Sequence, residues 1–417
     1  MDHLTARRFG KSGGSLAPHK YQIGAGPARP EQLRQANASE ILRLLRLHMP
    51  CSRADLVRFS GLSAPTVSST VEYLERKGLV ERLGMGAPSG GRPPNLLQLN
   101  ASFGYVIGVD IGGTGVRVAL ANLHGKIVAK WIGSFVESPT PARVTGLISG
   151  GIRQLLRHQR IPRKKLLTVA AGAPGITDVR AGVVLSAPNL CDWHGVPLRQ
   201  MLEESADVPV SIENDVNLAA LGESWSGTAR GVRDFVFLAI GTGIGAGIFI
   251  DGHLHHGSAW AAGEIGYLTV PGTEETSMAI RRTGPLENII GGKGIEQAWL
   301  KMSNGIRPGD QSRQHLKATE IFDLAESGDA VARELLQHTA QILARAITNM
   351  SLILDSSLVV FGGGVGSHPA LLEATKRILD QNEFARPHLA VSLLGADAQL
   401  HGAIWLALKT AEQNVLH

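Results

Sequence analysis

The residues best placed to do chemistry are Glu213, Asn214 and Asp215, in the stretch "SIENDVNLAALGE". An apolar run ends at Ile212, and the residues after Asp215 have helical spacing. A carboxylate at such a strand-to-helix edge, beside a phosphate cleft, can serve as a general base. It takes the proton of a hydroxyl group as that oxygen attacks phosphorus. Asp215 is the candidate. The blander reading is that Asn214 and Asp215 only cap the helix that follows, which short polar side chains do well. The two roles are compatible.

That chemistry needs a phosphate cleft, and two glycine-rich turns supply a candidate. "YVIGVDIGGTGVRVALANLHGKIV" starts at Tyr105 and "DFVFLAIGTGIGAGIFIDGHLHHG" starts at Asp234, about 130 residues later. Each reads as an apolar strand, a Gly/Thr turn, a second strand and a closing turn. We read them as an internal structural repeat. The glycines let backbone N–H groups approach an anion and the threonine adds a hydroxyl donor. The candidate phosphate or nucleotide binders are Asp110, Gly112, Gly113 and Thr114 in the first turn, with Gly241, Thr242 and Gly243 in the second. One such turn is most simply a tight hairpin. Two facing ones imply a nucleotide cleft between two α/β lobes.

The front end has a different character. Residues 1–100 hold 14 Lys and Arg against 7 Asp and Glu, whereas the remainder holds 27 against 29. A basic front on a near-neutral body points to a polyanion partner for the front alone. "NASEILRLLRLHMP" has the apolar spacing of a helix. Ser52 with Asp55 forms a capping box, Gly61 ends that helix, and Ser63 caps the next, with Pro65 in its first turn. Two short helices joined by a glycine turn make a helix-turn-helix. Its second helix presents Thr66, Ser68 and Ser69. The stretch "GLVERLGMGAPSGGRPPNLLQLN" then reads as strand, loop and strand, a wing with Arg92 at its tip. The candidate DNA contacts are Arg53, Ser63, Thr66, Ser68, Ser69 and Arg92. A small protein-binding helical module is the alternative. The order of elements together with the local charge favours duplex DNA.

The whole chain of 417 residues, 43% apolar and 18% charged, suits a soluble protein of two or three domains. No apolar run approaches the roughly 20 residues that span a bilayer, so no membrane partner is expected. The first thirty residues lack an apolar secretory core and read as a flexible tail. Cys51 and Cys191 fall in different segments, and a reducing cytoplasm is the simpler setting.

The order "SRADLVRFSGLSAPTVSSTVEYLERKGLVE…GGRPP" resembles the N-terminal domain of the ROK (repressor, open reading frame, kinase) transcription regulators. "DIGGT" and "GTGIGAG" resemble the phosphate motifs of the actin-like ATPase and sugar-kinase fold. "VVFGGGVG", which contains Gly363, looks like that fold's adenosine-side turn. The resemblance runs from about residue 37 to 410. It implies a winged helix-turn-helix over 37–100 after a flexible tail of 1–36, a first actin-like (RNase H-like) lobe over 103–215 plus 398–417, and a second lobe over 216–397. In ROK sugar kinases the aspartate matching Asp215 is the base. By the same resemblance, Asn214 donates to a sugar hydroxyl, Glu264 and Glu287 accept from the sugar, and "APNLCDWHGVPL" lays Asn189 along it. Trp193 in that stretch either stacks on the ligand or anchors packing.

One departure is informative. ROK proteins commonly carry a zinc site built from Glu-x-Gly-His and a later Cys-x-Cys-Gly-x-x-Gly-Cys-x-Glu. Here the motifs read "EIGY" and "MAIRRTGPLE". Tyr267 stands for the histidine, and Met278, Ile280 and Pro285 stand for the cysteines, so no metal and no zinc are expected. Packing by Met278 and Ile280 is expected to hold the loop instead. His253, His255 and His256 read as an exposed hairpin turn.

The resemblance implies a sugar-responsive DNA-binding regulator, a repressor, acting as a homodimer or homotetramer on an operator and needing no cofactor for DNA binding. Sugar closing the lobes would change the spacing of the recognition helices. The alternative is a bifunctional regulator that also phosphorylates the sugar, with ATP and magnesium and with Asp215 as base. A third reading is a sugar kinase whose front domain binds protein.

Overall fold

The computed structural model describes residues 30–85, 94–135, 139–187, 190, 192–271, 283–306 and 315–416. Asn189, Arg92, Met278, Ile280 and residues 1–29 lie outside these ranges, and so do the expectations that rest on them.

The front domain begins with helix α1, Pro30–His48. The tail expected over 1–36 is therefore corrected, because Pro30–Ala36 is helical. The reason is physical. Glu31, Gln32, Leu33 and Arg34 are good helix formers, Pro30 is tolerated in a first turn, and this stretch is almost wholly exposed. Propensity carries it, so it leaves no apolar stripe to read. Strand β1, Cys51–Ser52, leads into α2, Arg53–Ser60. Asp55 N–H donates to Ser52 Oγ at 3.2 Å, while Asp55 Oδ2 accepts from Ser52 N–H at 2.9 Å. Gly61 turns the chain with φ of 67°. Helix α3, Ala64–Arg76, starts on Ser63, whose hydroxyl accepts from Thr66 N–H at 3.3 Å. Strands β2, Val80–Met85, and β3, Asn95–Leu99, form the wing hairpin, with β1 on the other side of β3.

The body holds two sheets. The first is built from β4 (Tyr105–Ile111), β5 (Gly115–Asn122), β6 (Ile127–Ser134), β7 (Leu166–Ala173) and later β11 (Val210–Asn214). Between them come α4 (Pro141–His158), a three-stranded flap of β8 (Ile176–Asp178), β9 (Val183–Ser186) and β10 (His194–Val196), and α5 (Leu198–Ala206). Helix α6, Asp215–Ser226, then crosses to the second sheet. That sheet is built from β12 (Phe235–Ile240), β13 (Ile244–Ile250), β14 (His253–Leu254), β15 (Leu358–Gly362) and β16 (His388–Val391). Helices α7 (Pro285–Ile290), α8 (Gly292–Ile306), α9 (Ala318–Glu326), α10 (Ala330–Leu354) and α11 (Pro369–Leu379) surround it, and α12, Ala398–Leu416, returns to the first sheet.

The sheet orders are β6-β5-β4-β7-β11 and β14-β13-β12-β15-β16. Numbered in chain order within its own lobe, each sheet has the same arrangement, with the first three strands antiparallel and the last two joined in parallel. The repeat seen in the two glycine turns is thus a repeat of the whole sheet.

Helices α6 and α12 form the layer between the sheets. A Cβ on Gly402 would lie 1.8 Å from Leu218 O, and one on Gly222 would lie 2.3 Å from Ala398 O. Only glycine lets the two backbones cross this closely. One apolar core runs from Ile41, Leu45, Leu56 and Leu74 of the front domain into Ile404, Ala407, Leu408 and Leu416 of α12.

Candidate functional site

The first glycine turn joins β4 to β5 and is closed by Gly112 N–H donating to Gly115 O at 2.9 Å. Gly113 and Thr114 are exposed at its tip. The second joins β12 to β13 and is closed by Gly241 N–H donating to Gly243 O at 2.9 Å, with Thr242 exposed. Gly363 follows β15 with φ of 78°, and a Cβ there would lie 2.3 Å from Ile240 O. The Gly363 turn therefore wraps the end of β12, beside the second glycine turn.

Four carboxyl groups gather between the lobes. Asp215 opens α6 directly after β11, with Asn214 as the cap. Its carboxyl group is pushed up to about 7, chiefly by loss of water, then by the negative charges of Asp110 and, more weakly, Glu264. Some of its surface still faces the cleft. Asp110, at the end of β4, is also raised by burial, although Arg117 opposes this. Arg117 Nε and Nη2 donate to Asp110 Oδ2 at 2.9 and 2.7 Å. Burial and the neighbouring Glu287 raise Glu264. Glu287, on α7, is raised by burial and accepts from Ile244 N–H at 2.9 Å. One carboxylate assigned to the sugar by resemblance thus also braces the second glycine turn. Gly284 is held close for a similar reason, since a Cβ there would lie 2.0 Å from Gly266 O.

Asn214 does the capping work considered from sequence. Its Oδ1 accepts from Asn217 N–H at 2.9 Å, and its Nδ2 donates to Gly175 O at 3.0 Å. One amide hydrogen is left for a ligand. Trp193 is a packing anchor, 2% exposed, with its indole N–H donating to Pro139 O at 3.0 Å. Tyr267 lies at the end of a short helical turn and is partly exposed.

The expectation that the three histidines form an exposed turn is corrected for one of them. His253 and His255 are exposed, but His256 Nε2 lies 2.8 Å from Glu213 Oε2. That hydrogen bond raises the imidazole's affinity for a proton. Glu213 is buried, and its other oxygen accepts from Asn214 N–H and Asn217 Nδ2. Sequence reading missed this pair because the two residues are 43 positions apart and meet only across the lobes. Arg117 was within reach, because a two-strand hairpin turning at Gly112–Gly115 places it directly opposite Asp110.

At the front, Ser63, Thr66 and Ser69 share one face of α3. Ser63 Oγ and Thr66 Oγ1 are 2.8 Å apart, and Ser69 Oγ donates to Thr66 O at 3.0 Å. Ser68 is half-buried. Arg53 lies 3.3 Å from Glu75, which also holds Arg82 at 2.7 Å. Arg53 is thereby engaged by protein through Nη2.

Residues 106–410 match the model of the ROK family, and residues 35–91 match that of the MarR family. A xylose repressor of Caldicellulosiruptor bescii is 29% identical over 84% of this chain and 89% of its own. A glucokinase of Halalkalibacterium halodurans is 32% identical over 72% of this chain and 94% of its own. Among solved structures, a ROK family transcriptional regulator described as a homologue of the E. coli MLC protein superposes with a TM-score of 0.78 at 21% identity, covering 92% of this chain and 98% of its own.

Proposed function

The chain belongs to the ROK family, and from that premise we propose that it is a sugar-responsive DNA-binding repressor of carbohydrate genes. The sugar sits between the lobes against Asn214, Asp215, Glu264 and Glu287. The operator is duplex DNA, held by α3 and the wing. Two copies of the chain, as a homodimer or a tetramer of such pairs, engage two half-sites in the cytoplasm.

The observation that carries this reading is the course of α12. At its start, Arg117 donates to Ala396 O, and Gln399 Oε1 accepts from Arg117 Nη2 at 3.4 Å. Arg117 is the same side chain that holds Asp110. At its far end, Lys77 Nζ donates to Val415 O at 3.1 Å and Tyr73 Oη to Leu416 O at 3.4 Å. Nineteen helical residues span about 28 Å at 1.5 Å each. One rigid element therefore reaches from the carboxylate cleft to the recognition helix. Asp215 meets it through α6 at the Gly222 and Gly402 crossing. A sugar that binds one lobe arrangement better than the other shifts the population of α12 positions, and with it the spacing of paired recognition helices.

Electrophoretic mobility shift with the promoter upstream of the gene, across a sugar panel, tests the reading. Release of DNA by one sugar supports it. DNA binding that no sugar alters refutes it.

A second reading is favoured by the Asp215 carboxyl group, whose pKa of about 7 suits a general base at neutral pH. The chain would then also transfer phosphate from ATP to the sugar. Asp215 takes the sugar hydroxyl's proton as its oxygen attacks the γ-phosphorus. Gly112, Gly113, Thr114, Gly241, Thr242 and Gly243 would hold the phosphates, and Asp110, through the oxygen that Arg117 leaves free, would help to hold magnesium, which would supply charge neutralisation. ADP release dependent on sugar and lost in Asp215→Asn distinguishes the two readings.

A further inference from the structure

A cavity of about 430 Å³ opens beside the carboxylate cleft, lined by Val179, Arg180, His255, His256, Ser258 and Trp260 among others. Val179 and Arg180 lie in the turn between β8 and β9 of the first lobe, and the rest follow β14 of the second. The cavity thus forms only where the two lobes meet. It shares its frame with the proposed sugar residues. Glu213, which holds His256, directly precedes Asn214 and Asp215. Trp260 lies four positions before Glu264.

Two features point to a ligand with negative charge, and a third concerns the wall they share. The Arg180 guanidinium lies over the Trp260 ring at 5.5 Å from its centre. Arg180 takes part in none of the ion pairs among the described residues. Arg180 is exposed and lines the cavity, so its guanidinium, set over an aromatic face, is available to an anionic group. His256 packs edge-on against the same ring at 5.5 Å, and its hydrogen bond to Glu213 favours the protonated ring. Finally, Trp260 has φ of 62°, a left-handed conformation that a bulky residue seldom adopts. Such an outlier persists where the surroundings hold it, and strained residues of this kind cluster at ligand sites. Here it turns a flat ring toward the cavity shared with Arg180.

We propose that this cavity is an anion-accepting annex of the sugar site, and that the effector is a saccharide bearing a phosphate or carboxylate group. The sugar ring lies on the carboxylates of the cleft, and its acidic substituent meets Arg180 with the ring face of Trp260 alongside. This inference rests on the sugar-responsive reading above and narrows its ligand class.

Isothermal titration of the full chain tests it. Glucose, mannose, galactose and xylose are compared with glucose 6-phosphate, mannose 6-phosphate, glucuronate and galacturonate, for the wild type, Arg180→Gln, Trp260→Gly and the exposed control Arg230→Gln. The expected result is at least tenfold tighter binding of one acidic sugar than of its neutral parent. That ratio collapses in Arg180→Gln, shrinks in Trp260→Gly, and stays in Arg230→Gln. Whether the phosphates or the uronates show it identifies the acidic group. Neutral sugars binding as well as acidic ones, or a preference untouched by Arg180→Gln, overturns the annex while leaving the sugar reading intact. No binding of any sugar overturns both. Circular dichroism confirms that each variant is folded, and the Trp260→Gly change suits the backbone found there.

Discussion

Arg46 Nη1 lies 2.5 Å from Glu412 Oε1, and both side chains are only 8% exposed. Arg46 belongs to α1 of the DNA-binding domain and Glu412 to α12 of the body, so a buried charge pair sits at their joint. Glu412 Oε1 has no aligned hydrogen bond, so the contact is charge to charge. Lys409 Nζ lies 3.5 Å from Glu412 Oε2, so removing Arg46 leaves Glu412 partly compensated and costs less than the roughly 3–5 kcal/mol of a fully orphaned buried charge. Arg46→Ala is therefore expected to destabilise the chain by about 1–3 kcal/mol in urea unfolding, and Arg46→Met with Glu412→Leu to recover most of the loss. The double variant should bind operator with a weaker response to sugar.

The helix crossing gives a second expectation. Gly402→Ala puts a methyl group against Leu218 O and forces α12 away from α6. Overpacking of this kind costs about 1–3 kcal/mol. Stability should fall accordingly, and sugar-dependent release of DNA should weaken in mobility shift. Gly113→Ala, where nothing lies within 4 Å, should leave stability nearly unchanged.

Asp215 predicts a pH dependence. In the folded chain its carboxyl group keeps its proton up to about pH 7, against 3.8 for an ordinary aspartate. Between those values the folded state binds more protons than the unfolded state. The stability from this group is complete below about pH 4 and is lost as pH rises through about 7. Asp215→Asn removes this group's share of the slope, while Asp110, Glu264 and Glu287, also raised by burial, keep theirs. Above pH 7 the variant should be more stable than the wild type by on the order of 1–4 kcal/mol, read from urea midpoints between pH 4 and 8.

Ser63 separates capping from contact with DNA. Ser63→Ala should cost about 1 kcal/mol as a lost cap, whereas Ser63→Gly should cost only a few tenths. If the hydroxyl reaches the operator, both variants should bind DNA more weakly by fluorescence anisotropy, although only the first melts earlier. Unchanged affinity in Ser63→Gly would confine Ser63 to its cap.

Much of the front domain was legible because its signals are local. Ser52 with Asp55, Gly61, and Ser63 with Pro65 each act within four residues, and each forms the cap or turn that its chemistry dictates. The start of α1 was not legible, since an exposed stretch held by propensity carries no periodic signature. In the cleft, glycine spacing marked both hairpins. The role of Glu287 in bracing Ile244 was hidden by their separation of 43 positions.

Signals between chain neighbours specify the parts: a winged helix, two glycine-turn lobes, and the carboxylates between them, because caps, turns and strand alternation are local. How those parts are joined is set by the folded packing. It set Glu213 on His256, Arg180 over Trp260, α6 against α12 through two glycines, and Arg46 on Glu412. Those pairs come from distant segments, and nothing local in the chain fixes which of them meet. Packing two sheets around one shared helix layer is what brings them together.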